Sequence, residues 1–149
     1  MTLFSTPPSS ARDGFPIEVS IPSDVRFIAD VVGLVTRQCA ERQLSPRACN
    51  LMVPVALTEA LSNAILYGNR EDRAKSVLLR ARLDDRSLVL EVVDEGSGFD
   101  MDACTSDPTS PDNLSREDGR GLFLMRTLMD RVERYTDGGN VVRLTLHRQ

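Results

Sequence analysis

The sequence predicts an α+β fold, a two-layer sandwich in which a mixed, mostly antiparallel sheet is covered on one face by about three helices. Three observations support this class. Apolar residues alternate with polar ones in several short segments, as in half-buried strands, and they recur at helical spacing in other segments. The chain has 149 residues, which is enough for one domain with its own hydrophobic core.

Five strands are predicted from the alternating segments, and four of them pair as two hairpins. Asp84–Asp85 and Asp137-Gly138-Gly139 supply the turn signals of these hairpins. The predicted strands are 15–21, 76–83, 88–93, 132–135 and 141–147.

The helices follow residues that commonly cap a helix. Ser23 is suited to cap a first helix that ends near 41–44. Ser45 followed by Pro46 marks the start of a second helix. A third helix is expected over 121–132, where Leu and Met residues recur on one side.

The second helix should end near Tyr67, because Gly68 can supply a C-terminal stop. Pro54 lies inside this helix and lacks a backbone N–H. It should either kink the helix or lengthen its N-terminal turn.

Composition and charge argue against several classes of protein. Residues 1–14 are expected to form a flexible tail ahead of a single domain at 15–149. The net charge of −4 argues against direct binding to nucleic acid, and no apolar run looks long enough to cross a membrane. Three cysteines without CxxC spacing and the single His147 favour free thiols in the cytoplasm over a structural metal site.

Glu59 and Asn63 are four residues apart and therefore share one face of the second helix. Asn is disfavoured inside helices because its side chain competes for backbone hydrogen bonds. One explanation is an amide oxygen that binds Mg²⁺, next to a carboxylate that accepts a proton. A polar stripe along the margin of the helix would explain the same pair.

The segment DEGSGFD at 94–100 directly follows a strongly predicted strand. Asp94 could accept a hydrogen bond from an exocyclic amine, while Gly96 and Gly98 would let a ligand approach the backbone. A tight turn is the alternative explanation, because turns commonly use such strings.

Four residues close a long polar loop and open the third helix: Gly119, Arg120, Gly121 and Leu122. Exposed N–H groups at a helix N-terminus bind phosphate well, and the helix dipole adds to the attraction. A flexible junction would use the same glycines. The polar loop ahead of them is long enough to be functional or disordered.

Together and in this order, the motifs resemble the GHKL ATP-binding superfamily, which includes gyrase B, MutL and the catalytic domains of histidine kinases. The strings are TEALSNAILYGN at 58–69, VVDEGSGFD at 92–100 and DGRGLFLMRTLMD at 118–130. They are most similar to the anti-sigma-factor serine kinases of the RsbW and SpoIIAB group, and DPTSPDNL at 107–114 also looks like this branch. The resemblance covers roughly residues 15–148.

The resemblance implies a role for each matched residue. Glu59 corresponds to the general base, Asn63 to the asparagine that holds Mg²⁺, and Asp94 to the aspartate that recognises the adenine amine of ATP. The remaining matches are the glycines beneath the nucleotide, those beside its phosphates and the ATP lid: Gly96 and Gly98, Gly119 and Gly121, and residues 100–118.

The function that the resemblance implies is an ATP-dependent serine kinase that phosphorylates a STAS-domain antagonist and otherwise binds a sigma factor. The alternative is a non-catalytic module that binds ATP and one of these partners without turnover. Glu59 favours the kinase, because binding alone needs no base. A histidine-kinase domain usually has Asn at that position, and a gyrase-like ATPase would require a transducer domain. Relatives often pair through the sheet and first helix, which suggests a homodimer.

Two positions depart from the family pattern. Tyr67 stands where many relatives have His, which puts any contact from that ring in doubt. Pro54 is unusual in this helix. Neither departure removes a residue that the chemistry requires.

Overall fold

A computed structural model describes residues 16–96 and 120–148, together with the backbone of 4–5 and 117–119. Six strands form one sheet in the order β1-β2-β3-β4-β6-β5, and all neighbouring strands are antiparallel. Three helices cover one face of this sheet, so the predicted α+β class is confirmed. The strands are β1 (Phe4–Ser5), β2 (Ile17–Pro22), β3 (Ser76–Leu83), β4 (Ser87–Asp94), β5 (Arg131–Thr136) and β6 (Asn140–His147), and the helices are α1 (Ile28–Glu41), α2 (Val53–Asn63) and α3 (Glu117–Leu128).

Both predicted hairpins, β3–β4 and β5–β6, are present with the expected pairing. The two-residue strand β1 lies in the segment that was expected to be a flexible tail. Phe4 pairs with Val19 and Ser5 pairs with Glu18. The edge of β2 offers these two residues backbone partners.

The core lies between the sheet and the helices. Alternate residues of each central strand point towards the helices, and in β4 these are Leu88, Leu90 and Val92, all almost completely buried. Val31 and Val35 of α1 lie one helical turn apart and pack against the same core. The apolar residues that alternate in the strands or recur at helical spacing in the sequence are therefore the residues that face the core.

The prediction that Ser23 caps the first helix is wrong: Asp24 caps the short turn that precedes α1, and among the described residues no side chain caps α1 itself. An Asp24 carboxylate oxygen accepts the N–H of Arg26 at 3.0 Å, and a short 3₁₀ turn, Val25–Phe27, leads into α1. The hydroxyl of Ser23 is used elsewhere, because it donates to the carbonyl of Lys75 at 2.7 Å.

The second helix begins as predicted, with the Ala48 N–H donating to the hydroxyl of Ser45 at 3.1 Å. It runs as one helix, Ala48–Gly68, with a π-helical turn on either side of α2. Pro54 lies in the first turn of α2, directly after the wider π-helical turn. Its missing N–H is tolerated best at such a point.

This helix also corrects the expectation about membrane spans. By length and composition Ala48–Gly68 is apolar enough to cross a membrane, and it is the one such helix in the described chain. Its apolar residues Leu57, Leu61 and Ile65 are fully buried in the core. A central core helix meets the same criterion as a membrane span, because both are apolar on most sides.

The third helix was predicted over 121–132, but α3 spans Glu117–Leu128. It ends earlier because the chain turns after Leu128, and the N–H of Asp130 donates to the carbonyl of Thr145 at 2.9 Å. Because α3 begins earlier, the predicted phosphate-binding residues lie inside the helix and not at the end of the loop before it.

Candidate functional site

Glu59 and Asn63 lie on the side of α2 that faces α3. A Cβ atom at Gly121 would be 2.9 Å from Oε2 of Glu59 and 3.1 Å from Nδ2 of Asn63. A glycine at this position therefore lets α3 approach both side chains closely. The structure thus brings three of the predicted site residues together at the crossing of two helices.

Asp94 is the last residue of β4, and only 5% of its surface is exposed. Its Oδ1 accepts two hydrogen bonds at 2.9 Å, from the N–H of Gly96 and from Nδ2 of Asn140. Asn140, at the start of β6, also donates to the carbonyl of Gly96 at 2.8 Å. One carboxylate oxygen is thereby occupied by protein donors, which fixes the orientation of the side chain.

The Asp94 carboxylate also packs against Gly68, at the end of the long helix. A Cβ at position 68 would overlap this carboxylate, and a Cβ at Gly96 would overlap the carbonyl of Gly68. The sequence suggested only a helix stop at Gly68. The helix does end there, but the positive φ angles belong to Arg70 and Glu71. Close approach, not a left-handed conformation, explains the glycine.

One pocket connects the two parts of the site. It lies between α2, α3 and the strands β4, β5 and β6, so that Asn63 and Asp94 line the same space. Its lining residues are Asn63, Ala64, Asp94, Met125, Arg134, Tyr135, Asn140, Val141 and Val142. Asp94 presents a buried carboxylate to this space, and Met125 and Val142 add apolar surface to it.

The residues of the third motif, Gly119 to Leu122, have different positions in the structure. Gly119 and Arg120 lie in the first turn of α3, where backbone N–H groups have no partner within the helix. Gly121 is at the helix crossing. The side chain of Leu122 is 1% exposed and packs in the core. Gly98 and most of the predicted lid, residues 100–116, lie outside the described residues.

The metal-binding capacity of the site is limited to oxygen ligands. In the part of the chain that the structure describes, no three His, Cys, Asp or Glu side chains cluster as a metal site would require. The amide oxygen of Asn63 and the carboxylate of Glu59 are nevertheless hard oxygen ligands for a metal ion, and both lie beside the same position on α3. A site with one or two such protein ligands fits Mg²⁺, which takes its other ligands from phosphate and water.

Neither of the two cysteines in the described residues lines the pocket between α2, α3 and the strands. Cys39 and Cys49 are free and buried. Burial raises the pKa of the Cys39 thiol to about 12 and also raises that of Cys49. Both therefore stay protonated near neutral pH and are poor nucleophiles.

Sequence reasoning missed Asn69 and Asn140, which make hydrogen bonds around Asp94 and its neighbours. Asn140 follows the Gly138-Gly139 turn, and Asn69 is the last residue of the motif at 58–69. Their partners are 26 and 46 residues away in the chain, so no local pattern indicated these contacts.

Comparisons with known proteins identify the family of this chain. The chain belongs to the histidine kinase-like ATPase domain family, which matches residues 21–146. Membership of this family implies that the protein binds ATP.

Among related proteins, serine-protein kinase RsbW of Bacillus subtilis is 32% identical over 135 residues, which cover 87% of this chain and 83% of that protein. Serine-protein kinase RsbW of Halalkalibacterium halodurans is 31% identical over 134 residues, covering 87% and 81%. Anti-sigma F factor of Clostridium acetobutylicum is 31% identical over 99 residues, covering 65% and 68%.

Proposed function

We propose that this protein is an Mg²⁺-dependent serine kinase that phosphorylates a STAS-domain antagonist and alternatively binds a sigma factor. The observation that carries the proposal is the meeting of Glu59, Asn63 and Gly121 at the crossing of α2 and α3. The names of the relatives, serine-protein kinase and anti-sigma F factor, support both halves of this activity.

The nucleotide would bind with its adenine at Asp94, whose carboxylate accepts a hydrogen bond from the ring amine. Its phosphates would lie near the start of α3, where the N–H groups of Gly119 and Arg120 are first-turn donors. Asn63 would supply an oxygen ligand to Mg²⁺. When bound, the ion would neutralise charge on the phosphates.

Glu59 is the proposed general base. It would accept the proton of the substrate serine hydroxyl as the serine oxygen bonds to the γ-phosphorus. The bond from that phosphorus to its bridging oxygen breaks, and ADP leaves. Most of the rate would come from positioning and charge neutralisation, and proton removal contributes a further part.

The protein would act on transcription through contacts with the proposed partners and would not itself bind nucleic acid. The cytoplasm is the proposed location, and the two buried thiols agree with a reducing compartment. A homodimer is also proposed. The sheet face that carries Arg80, Glu91 and Arg143 is not packed against α1, α2 or α3, and light scattering of the purified protein would test for pairing.

The test of the kinase is phosphoserine formation on candidate STAS proteins in the presence of Mg-ATP. Glu59→Gln should lower the transfer rate by about 10²- to 10⁴-fold while ATP affinity changes little, because a base acts only as the proton moves. Glu41→Gln, which alters an exposed carboxylate at the end of α1, is the matched control and should leave transfer unchanged. Asn63→Ala should weaken Mg-ATP binding and transfer together.

A non-catalytic module that binds ATP and one protein partner is the second candidate. It predicts tight ATP binding without phosphorylation of a STAS protein that binds the wild type. Equal transfer by wild type and Glu59→Gln would instead show that another group is the base.

A further inference from the structure

Asn69 is the first residue beyond the helix Ala48–Gly68, and only 1% of its surface is exposed. Its side-chain amide makes three hydrogen bonds. Nδ2 donates to the carbonyl of Ser76 and to the hydroxyl of Ser23, both at 2.9 Å. Oδ1 accepts the N–H of Glu95 at 2.8 Å. Both amide hydrogens and the oxygen are therefore engaged.

These bonds lie where the pairing of β3 with β4 stops. The last paired residues are Leu78 and Val93. The same register, if continued, would bring Val77 opposite Asp94 and then Ser76 opposite Glu95. The amide of Asn69 lies between these two instead, donating to one backbone and accepting from the other. A side-chain amide carries the same donor and acceptor as a peptide group, so it can take the place of a strand partner. The Ser76 N–H also donates to the Glu95 carboxylate, so these two residues are joined directly as well as through Asn69.

We infer that Asn69 is a positioning residue of the nucleotide site: its side chain, inserted between the ends of β3 and β4, sets where Asp94 faces the pocket. This inference rests on the proposed contact of Asp94 with adenine. The N–H that Asn69 holds belongs to Glu95, directly after Asp94 in the chain. Gly96, the next residue, contacts the carbonyl of Gly68. The backbone that follows Asp94 is thereby held from both sides.

Asn69 also connects the two parts of the pocket. Its backbone N–H donates to the carbonyl of Ala64 at 2.8 Å, which fixes it to the helix that carries Asn63. Its side chain is fixed to the strand that carries Asp94. The separation of the Asn63 amide from the Asp94 carboxylate, and hence the fit to a nucleotide held by both, depends on this residue.

The test compares Asn69→Ala with Ser23→Ala. Both remove a buried hydrogen bond of the same network, but only the first releases the N–H of Glu95. Calorimetry well below both unfolding transitions should show an ATP affinity about ten- to a hundredfold lower in Asn69→Ala, because small misplacements in a site are costly. Ser23→Ala should keep the wild-type affinity. The preference for ATP over GTP should also fall in Asn69→Ala, which a loss of stability alone would not cause.

An Asn69→Ala protein that is less stable but binds ATP with wild-type affinity and selectivity would overturn the positioning role and leave the proposed function intact. Wild-type protein that binds no ATP would contradict the proposed function itself. Should Asn69→Ala not fold, Asn69→Ser takes its place in the same assay. Hydrogen exchange of the wild-type protein tests the bond between Asn69 and the Glu95 N–H without the use of any variant. The Glu95 amide should exchange as slowly as a strand amide, and rapid exchange would refute the bond.

Discussion

Gly68 and Asp94 are packed so closely that no side chain fits between them, although one ends a helix and the other ends a strand. A Cβ on Gly68 would overlap the Asp94 carboxylate. The helix that carries Asn63 and the strand that ends at Asp94 therefore meet at this contact. It fixes the position of the buried carboxylate in the pocket.

Gly68→Ala is expected to abolish most ATP binding, because the new methyl group must displace the Asp94 carboxylate. The free energy of unfolding should fall by about 1–3 kcal/mol, as for other overpacked sites. Urea unfolding and calorimetry would measure the two effects. Gly33→Ala in α1 is the matched control, because a Cβ there meets nothing within 4 Å. It should stabilise the helix by about 0.5–1 kcal/mol and leave ATP affinity unchanged.

Gly121→Ala should lower the rate of phosphoryl transfer while leaving the stability of the protein nearly unchanged. The new Cβ would meet the ends of two side chains, Glu59 and Asn63, which can move at little energetic cost. Better helix propensity should offset that cost, so the melting temperature should change little. Phosphoserine formation should nevertheless fall by about tenfold or more, because both groups are displaced. Normal transfer by a stably folded variant would argue against a catalytic site at the helix crossing.

Asn140→Ala removes the side-chain amide whose Nδ2 donates to both the Asp94 carboxylate and the Gly96 carbonyl, and leaves the Gly96 N–H as a donor to Asp94. We expect ATP binding to weaken by about 1–3 kcal/mol, the usual cost of losing a hydrogen bond to a charged group. Titration with ATP and with GTP would show whether adenine selectivity falls in parallel. Asn50→Ala, at an exposed position, is the control. Unchanged selectivity in Asn140→Ala would mean that the remaining contacts are sufficient to orient Asp94.

Asp24 should make the protein sensitive to acid. Hydrogen bonds from Arg26, followed by the charge of Arg73, lower the pKa of this carboxyl from 3.8 to about 2. A pKa that is lower in the folded state stabilises the protein above the unfolded-state value, and this stability is lost as the pH falls through the folded-state value. The wild type should therefore lose its advantage over Asp24→Asn as the pH falls from about 4 to about 2. Urea unfolding at several pH values would test this, and a constant difference would exclude the linkage.

The sequence by itself determined the elements of this protein and the order of its motifs. Those signals are local: the alternation of β3 and β4, the Ser45 cap of the second helix, and the spacing of Glu59 and Asn63 along one helix face. Local patterns also identified Asp94, because a polar residue directly after an apolar strand stands out.

Only the tertiary structure decided what surrounds these residues. The side chain of Asn69 takes the place of a strand partner, and Asn140 donates a hydrogen bond to the carboxylate of Asp94 on the neighbouring strand. Gly121 lets α3 pack closely against α2. An isolated Asn or Gly carries no such information in the sequence, because the same residue types serve ordinary turns and helix ends. Their roles depend on groups far away in the chain that come within hydrogen-bonding or contact distance only when the sheet and helices pack.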